Sequence, residues 1–331
     1  MYEKLEKRTA LFGENYTVLK KTLKLQSAEM LTAAALVYAL KDSKADPQRL
    51  KECKQTLKDG AGVLSVFRST SEPLVLTHMA LHNDPECSLD EIRQVYAALS
   101  KGKIIDSEYA LCAAMILAEK TCSANREAYI RQTEELYVQM KENFSIGSKG
   151  EALPAAAMLA AADADAKSIL QDAAECSALL KKIAGKNERQ SLSAVLALSP
   201  ASPQEKCEKV KNILDLLKQK KHKYDKNCGL TVLGALALTD LAAEEIAEQI
   251  IFADDQIKKD KSFGAVVGIR EALRRLYAAA LVFSVNKENV GEINAADSVS
   301  IAAVLEAVEM EVIVALNVST QAMLAASAAV H

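Results

Sequence analysis

The stretch LTHMALHNDPECSLDEI, residues 76–92, carries His78 and His82 four residues apart, followed by Asp84, Glu86 and Cys87. Imidazole, carboxylate and thiolate are the usual ligands of zinc, and a histidine pair at i, i+4 on a helix puts both rings on one face. In the H-E-x-x-H helix a glutamate follows the first histidine as general base. Here Met79 follows His78, and no third ligand stands at a diagnostic spacing. His78 and His82 are thus weak metal candidates, and no cofactor is implied. The competing assignment is a partly buried histidine pair at a seam between helices, with Asp84 as helix cap and Pro85 at the first helical position.

A second set lies where polar loops lead into apolar stretches: IDSEY (105–109), SKGE (148–151), KNERQ (186–190) and DKNC (225–228). It supplies Asp106, Glu108, Tyr109, Glu151, Glu188 and Gln190 as ligand candidates. Two carboxylates a set distance apart perform acid/base work at a glycosidic bond, which is the chemistry these acids would bring if the loops lined one rim. The same residues before or within a first helical turn also serve as caps and suit the helix dipole.

A third set is GIREALRRLYAAALVF, residues 268–283, with Arg270, Arg274 and Arg275 on an otherwise buried-type helix. Arg270 and Arg274 share a face, and would either grip an anion or pair with acids such as Glu271. No Gly-rich phosphate loop is present, since DGAGVLS (59–65) lacks the lysine and the spacing. No G-x-S-x-G elbow occurs, and among the cysteines only Cys87 has a histidine, His82, close in sequence.

What must position these residues is helical. Of 331 residues 50% are apolar, yet Trp is absent, Gly numbers 12 and Pro 6, so helix formers abound and breakers are few. The net charge of −3 is spread over mixed signs, which argues against a nucleic-acid partner. The run KQKKHK (218–223) reads as an exposed helix end where cations offset the dipole. Seven scattered cysteines, odd in number and never in a C-x-x-C pair, read as thiols of a reducing compartment. The opening MYEKLEKRTALF has no apolar block of the secretory kind, so the predicted address is cytoplasmic.

A repeat organises the chain. Apolar helix endings, a short turn and a new acidic helix start recur at Asp42, Asp84, Lys120, Asp163, Ser199 and Asp240, at spacings of 42, 36, 43, 36 and 41 residues. Such intervals are those of helical-hairpin repeats. In each unit the first helix, as in ALPAAAMLAAA, is apolar on most faces and predicted to be buried; the second, as in EKCEKVKNILDLLKQKKHK, is amphipathic and predicted to face solvent. The fold class read from this is all-α: about fourteen helices, in about six two-helix units, forming an α-solenoid or a closed α/α ring. Residues 1–296 make one domain, and 297–331 an apolar C-terminal helix packed on it, where it caps or plugs the array, or in a homodimer interface.

Residues 312–330, VIVALNVSTQAMLAASAAV, carry no charge. As a helix they would be about 28 Å long, close to the hydrocarbon thickness of a bilayer. Asn317, Ser319, Thr320, Gln321 and Ser327, with no basic flank, argue against a membrane span.

FGENYTVLKK (12–21), LVYALKDSKADPQRLKECKQTLK, IRQVYAALSKG, LYVQMKENF, SLSAVLALSPASPQEKCEKV, GLTVLGALALTDL and LRRLYAAALVF together resemble an uncharacterised, all-helical family of bacterial cytoplasmic proteins, found mainly in Gram-positive species and known as a domain of unknown function. The likeness runs from about Asn15 to the C-terminus, including TQAMLAASAAV. The resemblance implies no activity, cofactor or catalytic residue. It does imply aromatic loops before the buried helices, and SIGSKGE and AGKNERQ lack those aromatics here, which leaves any surface built on them in doubt.

Three functions remain open, in this order. The first is a non-catalytic interaction scaffold that binds a protein partner on the concave face of the array. The second is a small-molecule binder or enzyme of α/α-ring type with a polar rim, and the third a membrane-associated protein held by its C-terminal helix.

Overall fold

A computed structural model describes residues 1–62, 65–101, 107–121, 124–144, 152–162, 166–263 and 269–290. Asp106, Glu151, Asp163 and residues 291–331, with the uncharged stretch 312–330, lie outside the described residues. The described chain is all-α, with fourteen α-helices: α1 Tyr2–Thr22, α2 Ala28–Leu40, α3 Pro47–Gly60, α4 Glu72–Leu81, α5 Pro85–Ser100, α6 Ser107–Ala118 and α7 Arg126–Phe144. They continue as α8 Leu153–Ala161, α9 Ala166–Leu179, α10 Lys186–Leu196, α11 Pro203–Gln219, α12 Leu230–Ala237, α13 Ala243–Lys259 and α14 Glu271–Asn286. Among the described residues there is no strand, only an isolated bridge between Thr239 and Val290.

Odd- and even-numbered helices differ as their composition dictates. In α2 every residue from Met30 to Leu40 is buried, and in α8 and α12 the whole helix is buried. In α3 only Leu50, Cys53 and Leu57 are, at the i, i+3, i+7 spacing of a single apolar stripe. Small side chains let the buried helices approach closely: a Cβ on Gly234 of α12 would lie 2.5 Å from Cδ1 of Leu192 on α10.

Each odd helix packs on the even helix that follows it, from α1 on α2 to α13 on α14. Successive odd helices also pack on one another, as do most successive even ones, while α4 and α6 both rest on the short 3-10 turn Val66–Arg68. The first and last described helices meet too: α1 packs on α13 and α14, and α14 on α2. At that seam Tyr2 meets the Phe252 ring edge-on at 5.0 Å, and Phe12 meets Tyr277 in the same way at 5.7 Å.

Side-chain caps open several of the helices, Asp84 among them as the sequence suggests. Ser27 caps α2 by accepting from Met30 N–H (3.2 Å), Asp46 caps α3, and Asp84 caps α5 by accepting from the N–H groups of Glu86 and Cys87. Ser202 and Glu205 form a reciprocal capping box on α11, and Pro47, Pro85 and Pro203 open their helices. At the opposite ends of the buried helices, cations from odd helices satisfy the last carbonyls. Arg8 donates to Ala39 (2.8 Å) and Leu40, Arg49 to His82 (2.9 Å) and Asn83, Lys206 to Ser199 (3.0 Å), and Lys209 to Thr239. Orphan carbonyls and the negative pole of each helix are answered together. No described helix is long and apolar enough to cross a membrane.

Candidate functional site

The candidate residues fall at the two ends of the buried helices. The acids lie at the starts of α6 and α10, the arginines at and just after the start of α14, and the histidines near the end of α4. The structure therefore sorts them by helix pole before any chemistry.

At the N-terminal ends each described acid reaches for a neighbouring helix. Glu108, in the first turn of α6, accepts hydrogen bonds from the hydroxyls of Ser69 (3.2 Å) and Ser71, the residue preceding α4. Glu188, in the first turn of α10 and 9% exposed, accepts from the backbone N–H groups of Gly229 (3.3 Å) and Leu230 (2.8 Å), where α12 begins. Gly229 makes this possible, because its φ of +80° turns the chain into α12 and a side chain there would press on Leu276 at 3.0 Å. Tyr109, in the first turn of α6, and Gln190, in the second turn of α10, are buried. Glu108 and Glu188 are held by different neighbours, and no depression described below is lined by both.

The arginines separate. Arg270 pairs with Glu29 in the first turn of α2 at 3.0 Å. Arg274 grips Asp254 of α13 through Nε (2.6 Å) and Nη2 (3.3 Å), and His222 Nδ1 lies 3.2 Å from the same carboxylate, which is 1% exposed. Arg275 bonds to Glu271 and to the Lys223 carbonyl. Arg270 and Arg274 thus each pair with an acid of another helix, and Arg275 with one of its own.

The histidines also separate. His78 Nδ1 lies 3.3 Å from Ser88 Oγ, and its Nε2 lies 3.3 Å from Glu119 Oε1, which Lys41 holds at 2.6 Å. His82 is exposed rather than partly buried, and its Nδ1 turns to the backbone of Asp84. The two rings have different partners, and among the described residues no group of three or more His, Cys, Asp or Glu is placed to hold a metal. The sequence Ser88, His78, Glu119 lists the residue types of a hydrolase triad, with the ring reversed: the serine sits on Nδ1 and the acid on Nε2. Ser88 is 3% exposed, so its hydroxyl faces no substrate. Burial pushes the His78 imidazole down to about 4, against the opposing pull of Glu119, so the ring is neutral at pH 7. Burial raises the Glu119 carboxyl, but His78 and Lys41 outweigh it and hold the acid below its ordinary value.

Asp254, Glu119 and Lys41 are partners that motif reading misses. Asp254 alone left a signal: it falls on the stripe of Ile246, Ile250 and Ile257 that α13 buries, where an acid is out of pattern.

Open space lies elsewhere. Between α11 and α13 a groove of about 770 Å³ is lined by Glu205, Glu208, Asp215 and Glu244, with Lys209 at its side. It shares Glu205 and Lys209 with a depression of about 490 Å³ at the ends of α10 and α12, so the two form one trough. A third depression, of about 610 Å³, lies between Lys223–Lys226 and the first turns of α14.

Residues 15–310 match the family described as a protein of unknown function, DUF4003, and the chain belongs to that family. No curated protein and no solved structure matches the chain.

Proposed function

We propose that this DUF4003 chain is a non-catalytic, cytoplasmic helical-repeat protein whose two-helix units close into an α/α ring and whose outer helices bind a protein partner. Support for closure comes from the seam: α1 on α13 and α14, α14 on α2, and the Arg270–Glu29 pair across the same junction. Six described cysteines that are free support a reducing compartment.

The observation that carries the functional reading is how the polar candidates are spent. Glu108, Glu188, Arg270 and Arg274 each tie one helix to another, which is the work of an assembly and not of a site awaiting substrate. The even helices are buried turn after turn, so the concave face expected from the sequence offers little to a partner, and the odd helices carry the contact surface. Among them the trough along α11 and α13 presents Glu205, Glu208, Asp215 and Glu244, which complement a lysine-rich segment.

Fluorescence anisotropy with a labelled lysine-rich peptide tests this. Binding that weakens with salt and is lost in Glu208→Lys/Asp215→Lys is the expected result. Equal affinity in the charge-reversed chain, or no binding at low salt, rejects the trough as the partner site.

A further inference from the structure

Lysines gather where four of the odd helices end. Lys20, Lys21 and Lys24 are exposed at the end of α1 and just beyond it, and Lys181, Lys182 and Lys186 between α9 and the first turn of α10. Helix α11 ends in Lys218 and runs on through Lys220, Lys221, Lys223 and Lys226, all exposed. Helix α13 ends in Lys258 and Lys259, with Lys261 beyond, exposed as well. A lysine in a last turn suits the dipole of its own helix, but that does not account for those in the loops.

The four corners touch one another. Gly185 N–H donates to the Lys226 carbonyl at 2.8 Å, Arg275 donates to the Lys223 carbonyl, and Arg270 pairs with Glu29 at 3.0 Å. The lysines therefore form one continuous basic edge around the starts of α10, α12, α14 and α2. Acids at these corners are already engaged. Glu188 serves the N–H groups of α12, Glu29 holds Arg270, and Glu271 holds Arg275. Asp225 and Asp260 accept from the N–H groups of Asn227 (2.9 Å) and Ser262 (2.8 Å). Of the lysines, Lys220 pairs with Glu248 at 3.0 Å and Lys20 lies 5.6 Å from the centre of the Tyr16 ring; among the described residues the others have no ion-pair partner. The net charge of −3 is an average that conceals this edge.

Apolar side chains stand among these cations. Leu25, next to Lys24, is 104% exposed on a backbone of φ +77°, a left-handed conformation unusual for leucine. Leu179, the last residue of α9 and two before Lys181, is 48% exposed. Ammonium groups around protruding leucines suit an anionic bilayer, whose headgroups attract the charge and whose acyl boundary takes the apolar side chains. A single-stranded nucleic acid would call for exposed aromatic rings on which bases stack. Here Tyr224 is buried, and Phe263 packs on Phe12 at 4.6 Å and on Tyr16 at 5.1 Å.

We propose that this basic edge docks on an anionic lipid bilayer, with Leu25 and Leu179 entering the headgroup layer among the lysines. Each lysine held near such a surface strengthens partitioning about fivefold.

The test is sedimentation of the full-length chain with vesicles of equal parts phosphatidylglycerol and phosphatidylcholine, and with vesicles of phosphatidylcholine alone. Binding to the anionic vesicles only, weakening as salt rises, is the expected result. Lys221→Gln/Lys223→Gln/Lys258→Gln/Lys259→Gln should lower partitioning by roughly a hundredfold or more. Lys4→Gln/Lys7→Gln/Lys44→Gln/Lys51→Gln removes four exposed lysines at the starts of α1 and α3, on the opposite edge, and should change it far less. Leu25→Asn, which tolerates the left-handed backbone, should lower partitioning severalfold. The proposal is overturned by no binding to the anionic vesicles, by equal losses from the two lysine sets, or by undiminished partitioning of Leu25→Asn. Binding of a fluorescent duplex DNA at a salt concentration where the vesicles are left unbound overturns it too, and assigns the edge to nucleic acid.

Discussion

Glu188 belongs to α10, but its carboxylate accepts the backbone N–H groups of Gly229 and Leu230 at the start of α12, at 3.3 and 2.8 Å. An acid near a helix start normally serves its own helix; this one serves the next buried helix and ties α10 to α12. Gly229, held at φ +80°, is what presents both donors to it.

Removing that acceptor leaves buried N–H groups unpaired. Glu188→Ala is expected to destabilise the chain by about 2–3 kcal/mol, and Glu188→Gln, which keeps one acceptor oxygen, by about 1 kcal/mol. Urea denaturation followed by circular dichroism reads both. A cost for the alanine variant no larger than that of a surface substitution would show that the contact does not hold α10 to α12.

The two arginine pairs should differ sharply. Asp254 is 1% exposed, so Arg274→Ala strands a buried carboxylate and should cost about 3–5 kcal/mol. Arg270 and Glu29 are 47% and 32% exposed at their side chains, and Arg270→Ala should cost about 0–1 kcal/mol. Arg274→Lys should recover only part of the loss, because a single ammonium cannot make the two-pronged contact. Equal costs for Arg270→Ala and Arg274→Ala, measured by thermal unfolding, would contradict this ordering.

Much of the architecture was legible because it rests on local patterns. The i, i+3, i+7 stripes of α3, the unbroken apolar run of α2 and the caps at Ser27, Asp46 and Asp84 are all short-range. Partners were not legible, because they join units far apart in sequence: Glu188 with Gly229, Arg270 with Glu29, His78 with Glu119. The polar residues before α12 misled for another reason. Asp225 caps a turn by accepting from Asn227 N–H, and the helix itself waits until Gly229 has reversed the backbone.

Acid should weaken the fold through His78. Its imidazole, pushed down to about 4 by burial, takes up its proton later in the folded state than in the unfolded chain, where it titrates near 6.5. Between those values the unfolded state binds more protons, so stability is complete above about pH 6.5 and falls as pH drops towards 4. The full effect is on the order of 3 kcal/mol. Glu119, held below its ordinary value, adds a loss of the same sign at lower pH. His78→Gln, which keeps a polar side chain and cannot titrate, should flatten the stability profile between pH 6.5 and 4.5, measured by urea denaturation at each pH. An unchanged slope would show that His78 is not the group responsible.

Thiol reactivity should follow position in the array. Cys87 is exposed near the start of α5 and Cys228 is partly buried beside Gly229, whereas Cys53, Cys112, Cys176 and Cys207 are buried. Burial also raises the Cys53 thiol to about 11, and the Cys176 thiol is raised by its hydrogen bond to Cys207 together with burial, which lowers the thiolate fraction of both. Among the six described thiols, a maleimide at neutral pH should therefore modify Cys87 first and Cys228 more slowly, and reach the four buried ones only after unfolding. Peptide mass spectrometry over a time course checks the order. Labelling of Cys53 or Cys176 at the rate of Cys87 would mean that the stripes of α3 and α9 are not packed against the buried helices as described.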